Sequence, residues 1–95
     1  MASKKKPQRV IVRTYSAGVH YGTLVTRSGK EVTLADARRI WYWKGANTLH
    51  EVSLSGVSSG SKISKVVASI VLTEAIEVIG CTEEASKNLD AAQWQ

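Results

Sequence analysis

Arg38, Arg39, Ile40, Trp41, Tyr42, Trp43 and Lys44 stand in one unbroken run, and together they have a chemical use. Arginine and lysine hold phosphate, and flat aromatic side chains stack on nucleobases, at about 1 to 3 kcal/mol per stacked base. In an extended strand successive side chains point to opposite faces. Arg38, Ile40 and Tyr42 then share one face, and Arg39, Trp41 and Trp43 the other. The face with two tryptophans beside an arginine is the one suited to an anionic aromatic ligand. The same residues also have a packing use: the chain has three Trp and no Phe, which makes tryptophan natural material for a core or a subunit interface. Tyr21 is a further candidate for stacking and Arg13 for phosphate contact.

Other chemistry finds little to work with. The chain holds two histidines, His20 and His50, and one cysteine, Cys81. No C-x-x-C, H-x-x-x-H or H-E-x-x-H spacing occurs, so neither a metal centre nor a cofactor is expected. Eleven serines occur without a G-x-S-x-G elbow, and nothing pairs Cys81 with a base. The glycines of "GVHYG" form neither a P-loop nor a dinucleotide fingerprint. Glu74 and Glu77, if in a strand, point to opposite faces and do not form a catalytic pair. The inventory is that of a binding protein rather than an enzyme.

The elements that must carry these residues read as mainly β. After an arm ending at Pro7, Arg9–Ser16 is a β-rich strand, Gly18 supports a tight turn, and Val19–Arg27 returns with Gly22 as a bulge candidate. Ser28 and Gly29 centre a second hairpin, and Glu31 onward continues as one long strand or as two pieces broken near Asp36. Thr48 with Glu51 has the form of a capping box for a helix of two turns ending near Gly56. Gly56–Lys65 reads as a loop and as the lid of any site. Val66–Cys81 supplies one or two more strands with a break at Thr73 and Glu74. Thr82 caps a terminal helix, with Glu83 and Glu84 in its first turn and Ala85, Leu89 and Trp94 docking back. The expectation is an α+β, mainly β fold: a small antiparallel meander or sandwich, or a partly open barrel, with one short internal and one short C-terminal helix. Residues 1–8 form a flexible basic arm and 9–95 a single domain.

Charge is unevenly spread. Residues 1–44 hold ten Lys or Arg against two acids, a balance of +8, whereas residues 45–95 hold three against six, a balance of −3. The basic half would attract phosphate, and Lys4, Lys5, Lys6 and Arg9 have the composition of a nucleic-acid-binding arm as well as that of a solubilising terminus. The acidic half could meet the basic half of another copy, which makes a homo-oligomer an expectation. A single cysteine suits a reducing compartment, no run of 18 apolar residues suggests a membrane span, and "MASKKKPQR" lacks a signal-peptide core.

"VIVRTYSAGVHYGTL", "GKEVTLADARRIWYWKGANTLHEVSLSGV" and "IVLTEAIEVIGCTEEASKNL" resemble a family of short uncharacterised proteins encoded by tailed bacteriophages and prophages. The resemblance covers nearly all of the chain after the arm; one departure is Gly80, where the family pattern leads one to expect proline. It implies a protein of the infected bacterial cytoplasm that acts in defence evasion, in the virion or on host nucleic acid. The chain is also similar in kind to anti-defence sponges that sequester cyclic-nucleotide or ADP-ribose signals. The expected function is therefore non-enzymatic binding of an anionic nucleotide-type ligand by Trp41, Trp43, Tyr21, Arg38, Arg39 and Arg13. The alternatives are a head or tail accessory protein among other virion subunits, and a nonspecific nucleic-acid binder acting through the arm.

Overall fold

The computed structural model describes residues 8–45, 48–58 and 60–92. Lys4, Lys5, Lys6 and Trp94 lie outside them. Runs of β-branched residues set three antiparallel strands, β1 (Arg9–Thr14), β2 (Val19–Ser28) and β3 (Glu31–Tyr42). Gly18 and Gly29 take φ of 86° and 59° in the turns between them, a region that glycine enters without a Cβ penalty. The second hairpin pairs Ser28 with Glu31, so its turn residues are Gly29 and Lys30, one position later than the sequence suggests.

Then follow α1 (Leu49–Ser55), β4 (Lys62–Ile63), β5 (Val67–Leu72), β6 (Ala75–Gly80) and α2 (Glu83–Ala91). The strands form one six-stranded antiparallel open sheet in the order β4-β3-β2-β1-β6, with β5 also on β3. β4 lies against Ile40 and Tyr42, and β5 against Val32 to Ala37, so the two share one side of β3 end to end. This is the mainly β fold with two short helices that the sequence predicts. Both helices start as their caps require: the Thr48 side chain accepts from the Glu51 amide, and that of Thr82 from the Ala85 amide.

One bulge reorganises β3. Ala35 pairs with Thr23 and Arg38 with Tyr21, so Asp36 and Ala37 together face Gly22. Asp36 has φ 50°, and a Cβ on Gly22 would stand 3.1 Å from both the Ala35 carbonyl oxygen and the Ala37 Cα. The extra residue resets the alternation and keeps β3 a single strand. Val32, Leu34 and Ala37 therefore join one apolar cluster, whereas Ile40 belongs to another.

These two clusters lie on opposite faces, and β1 serves both. Val10 and Val12 pack with Val32, Leu34, Ala37, Leu72 and Ala75; Ile11 packs with Tyr21, Ile40, Val52, Ile63 and Leu89. Leu72 and Ala75 come from strands at opposite ends of the sheet, which must curl to bring both over one cluster. The second face is covered by α1 and α2.

The described residues of 56–65 are mainly loop, as the sequence suggests, except at one short strand. That strand is β4, and the segment is stitched to β3 and the residues after it. The Ser61 hydroxyl accepts from the Lys44 amide at 2.8 Å, and the Arg39 amide donates to the Ser64 hydroxyl at 2.8 Å. These bonds tie the segment to the edge of the sheet. Two residues of strand are too few to leave a period in the sequence.

Candidate functional site

The six candidate residues fall in three places. Arg38 is 5% exposed and points beneath α2. Its Nε donates to the Ser64 carbonyl at 2.8 Å, Nη1 to the Leu89 carbonyl at 2.8 Å, and Nη2 to the Ala92 carbonyl at 2.7 Å. The last carbonyls of a helix lack partners within it and carry partial negative charge. α2 has no basic residue in its own last turn, and Arg38 supplies the cation from the sheet. Desolvation lowers its pKa, opposed by the nearby charge of Asp90.

Tyr21 is fully buried, and its hydroxyl donates to the Ser86 carbonyl at 3.2 Å or the Asp90 carboxylate at 3.1 Å. Burial pushes its pKa up to about 12. Arg9 lies over the Tyr21 ring, 4.7 Å from its centroid, and grips both carboxylate oxygens of Asp90 at 2.7 and 3.1 Å. Tyr21, Arg9 and Arg38 together fix α2 to the sheet. Near them the Cys81 thiol is partly buried, and desolvation raises its pKa to about 11, which keeps it protonated and unreactive at neutral pH.

Arg39, Trp41 and Trp43 lie elsewhere. They line an open cleft of about 460 Å³, whose other wall is the turn Ser16–Val19. Trp41 is 56% exposed, and the Lys62 ammonium sits 5.4 Å from its ring centroid. Trp43 is half-buried against the cluster that contains Ile40. Strict alternation would have put it on the opposite face. The reason is a second register shift: Ile40 pairs with Ile63 and Tyr42 with Lys62, so Trp41 is an extra residue and the faces exchange after it.

Arg39 is exposed, and its guanidinium has no ion pair among the described residues. It also lines a smaller cavity of about 230 Å³ between β3 and β5, with His20, Ala37, Val67 and Ile70. His20 is paired with Arg39 across the strands and is 2% exposed, with Nε2 3.0 Å from the Ala17 carbonyl oxygen. Burial lowers its pKa, and the Arg39 charge adds to the effect. Arg13 does not line the cleft. It stands opposite Val19 of the cleft wall, 3.6 Å from Glu77. The Ser16 hydroxyl donates to Glu74 at 2.5 Å.

The structure thus brings Arg39, Trp41 and Trp43 together and places Arg38 and Tyr21 under α2. The sequence does not point to Lys62, whose segment carries no strand signal, or to the Ser16–Val19 turn, which reads there only as a connection. A cleft of this volume accepts a small ligand, with an exposed indole for stacking and cations beside it. Among the described residues no group of three or more His, Cys, Asp or Glu converges as a metal site would need, and no helix is long and apolar enough to cross a membrane.

None of the curated proteins and none of the solved structures compared with the chain matches it. The model of a domain of unknown function, DUF6948, matches residues 7–89, nearly all of β1 through α2, and the chain belongs to that family.

Proposed function

We propose that the protein binds an anionic aromatic ligand of the nucleotide class in the cleft between Ser16–Val19 and Arg39–Trp43, without chemical conversion. The observation that carries this reading is the exposed Trp41 ring in one cleft of about 460 Å³ with the Arg39 guanidinium, which has no ion pair among the described residues. A purine stacks on the indole face, and its phosphate meets Arg39, with Lys62 adding positive charge from beneath the ring. Trp43 forms the floor, held by its packing against the core. The resemblance to phage proteins supports a signal of bacterial immunity as the ligand, a cyclic nucleotide or an ADP-ribose derivative, held away from its host effector in the cytoplasm.

Thermal melts with cyclic mono- and dinucleotides and ADP-ribose isomers test the proposal. A ligand at 100 times its Kd adds about 2.7 kcal/mol of stability, a shift of several degrees. Arg39→Ala and Trp41→Ala should abolish the shift and leave the unliganded melt nearly unchanged, because both side chains are exposed. No shift from any ligand on the panel counts against the reading. Binding to DNA of any sequence that weakens steeply with salt would favour the nucleic-acid alternative, and copies of the chain in purified particles the virion one.

A further inference from the structure

We propose that β5 is a pairing edge, and that its occupant is the β5 of a second copy of this chain in a two-fold antiparallel arrangement. β5 bonds to β3 on one side, and no strand among the described residues covers its other side. An uncovered strand presents a row of unpaired N–H and C=O groups, and monomeric proteins blunt such edges with charges, prolines or bulges. The stretch 66–73 has none of these: it reads Val-Val-Ala-Ser-Ile-Val-Leu-Thr. The opposite edge of the sheet, β6, does carry a charge, Glu77, which is paired with Arg13.

Exposure and charge select the partner. Val66, Val67 and Val71 are 53%, 48% and 51% exposed, whereas Ile70 and Leu72 turn into the core of their own chain. A two-fold axis perpendicular to the sheet keeps each face on its own side, so residues set opposite each other must share parity. The register centred on Ser69 places Val67 against the partner's Val71, twice, and Val66 against the partner's Leu72. It also brings Lys65, at one end of the strand, beside the partner's Glu74 at the other, again twice. Opposite charges at the two ends of an uncharged strand match an antiparallel copy of that strand and repel a parallel one. Among the described residues the other edges carry Lys62 in β4 and Glu77 in β6, so each copy spends its uncharged edge and the assembly closes at two.

Sedimentation of the full chain over a wide concentration range should show a monomer–dimer equilibrium. The double variant Val67→Lys/Val71→Lys sets like charges opposite each other and should weaken the dimer about 100-fold, and Val67→Lys/Val71→Glu should restore it in a salt-sensitive form. Both changes lie on exposed positions, and circular dichroism checks that the fold persists. In a chain carrying Cys81→Ser, Ser69→Cys should give a disulfide-linked dimer under mild oxidation, because the axis passes through that residue, while Val71→Cys should not. A chain that stays monomeric at every soluble concentration overturns the proposal. So does a dimer that ignores the lysine pair, or one in which Val71→Cys cross-links as readily as Ser69→Cys.

Discussion

His20 sits in a strand, is enclosed by the sheet and has the positive charge of Arg39 across from it, and all of this opposes a second proton on the ring. Its pKa in the fold is lower than the ordinary 6.5, so the unfolded chain binds the proton first. Stability is full above the ordinary value and falls as the pH drops below it, until the folded-state pKa is passed. Melting temperature should therefore decline between about pH 7 and pH 5, and His20→Gln, which keeps a donor for the Ala17 carbonyl, should flatten that decline. A slope equal to that of the parent protein would mean that another group is responsible. At this scale the sequence was partly legible. Alternation placed Arg38 and Arg39 on opposite faces, and they are so placed. What it could not tell was which face would receive a helix, because α2 is some 50 residues away along the chain.

Among the elements, local chemistry was the legible part. Thr48 and Thr82 were found as caps because a cap and its partner lie three residues apart, and Thr73 and Glu74 were found as a break because polar residues interrupt a β-branched run. The two register shifts in β3 were less legible, since a bulge is decided by both strands. Gly22 and Asp36 were each noticed, but the sequence could not say that they oppose one another or that Trp43 would change face after a second shift at Trp41. The first bulge makes opposite predictions for its two sides. Gly22→Ala forces a Cβ against backbone at 3.1 Å and should cost about 1 to 3 kcal/mol. Asp36→Gly relieves a positive φ and should raise stability by about 0.5 to 1 kcal/mol. Urea unfolding of the two variants measures both, and equal signs would show that the bulge is not as described.

Across the whole molecule, the uneven charge acquires a structural meaning. The basic first half and the acidic second half meet inside one chain, at Arg9 with Asp90 and at Arg13 with Glu77. Part of what head-to-tail assembly would have satisfied is therefore satisfied by the fold itself. α2 is the element most dependent on this: Arg9 from β1, Tyr21 from β2 and Arg38 from β3 reach it from three adjacent strands. Its Leu89 is fully buried in the cluster formed by Ile11, Tyr21 and Ile40. Arg38 matters most of the three, because it is the most buried cation and satisfies carbonyls of α2 and of Ser64 after β4 at once. Arg38→Ala leaves those carbonyls without partners under a covering helix and should cost about 2 to 4 kcal/mol, lowering the melting temperature by about 10 °C or more. Arg38→Lys should recover little, since one ammonium cannot reproduce a fork that reaches four carbonyls. Hydrogen exchange locates the damage: amides of α2 should lose protection first in the lysine variant, while those of β2 and the first half of β3 keep theirs. Uniform loss across the sheet would mean that Arg38 holds the core itself rather than the helix that closes it.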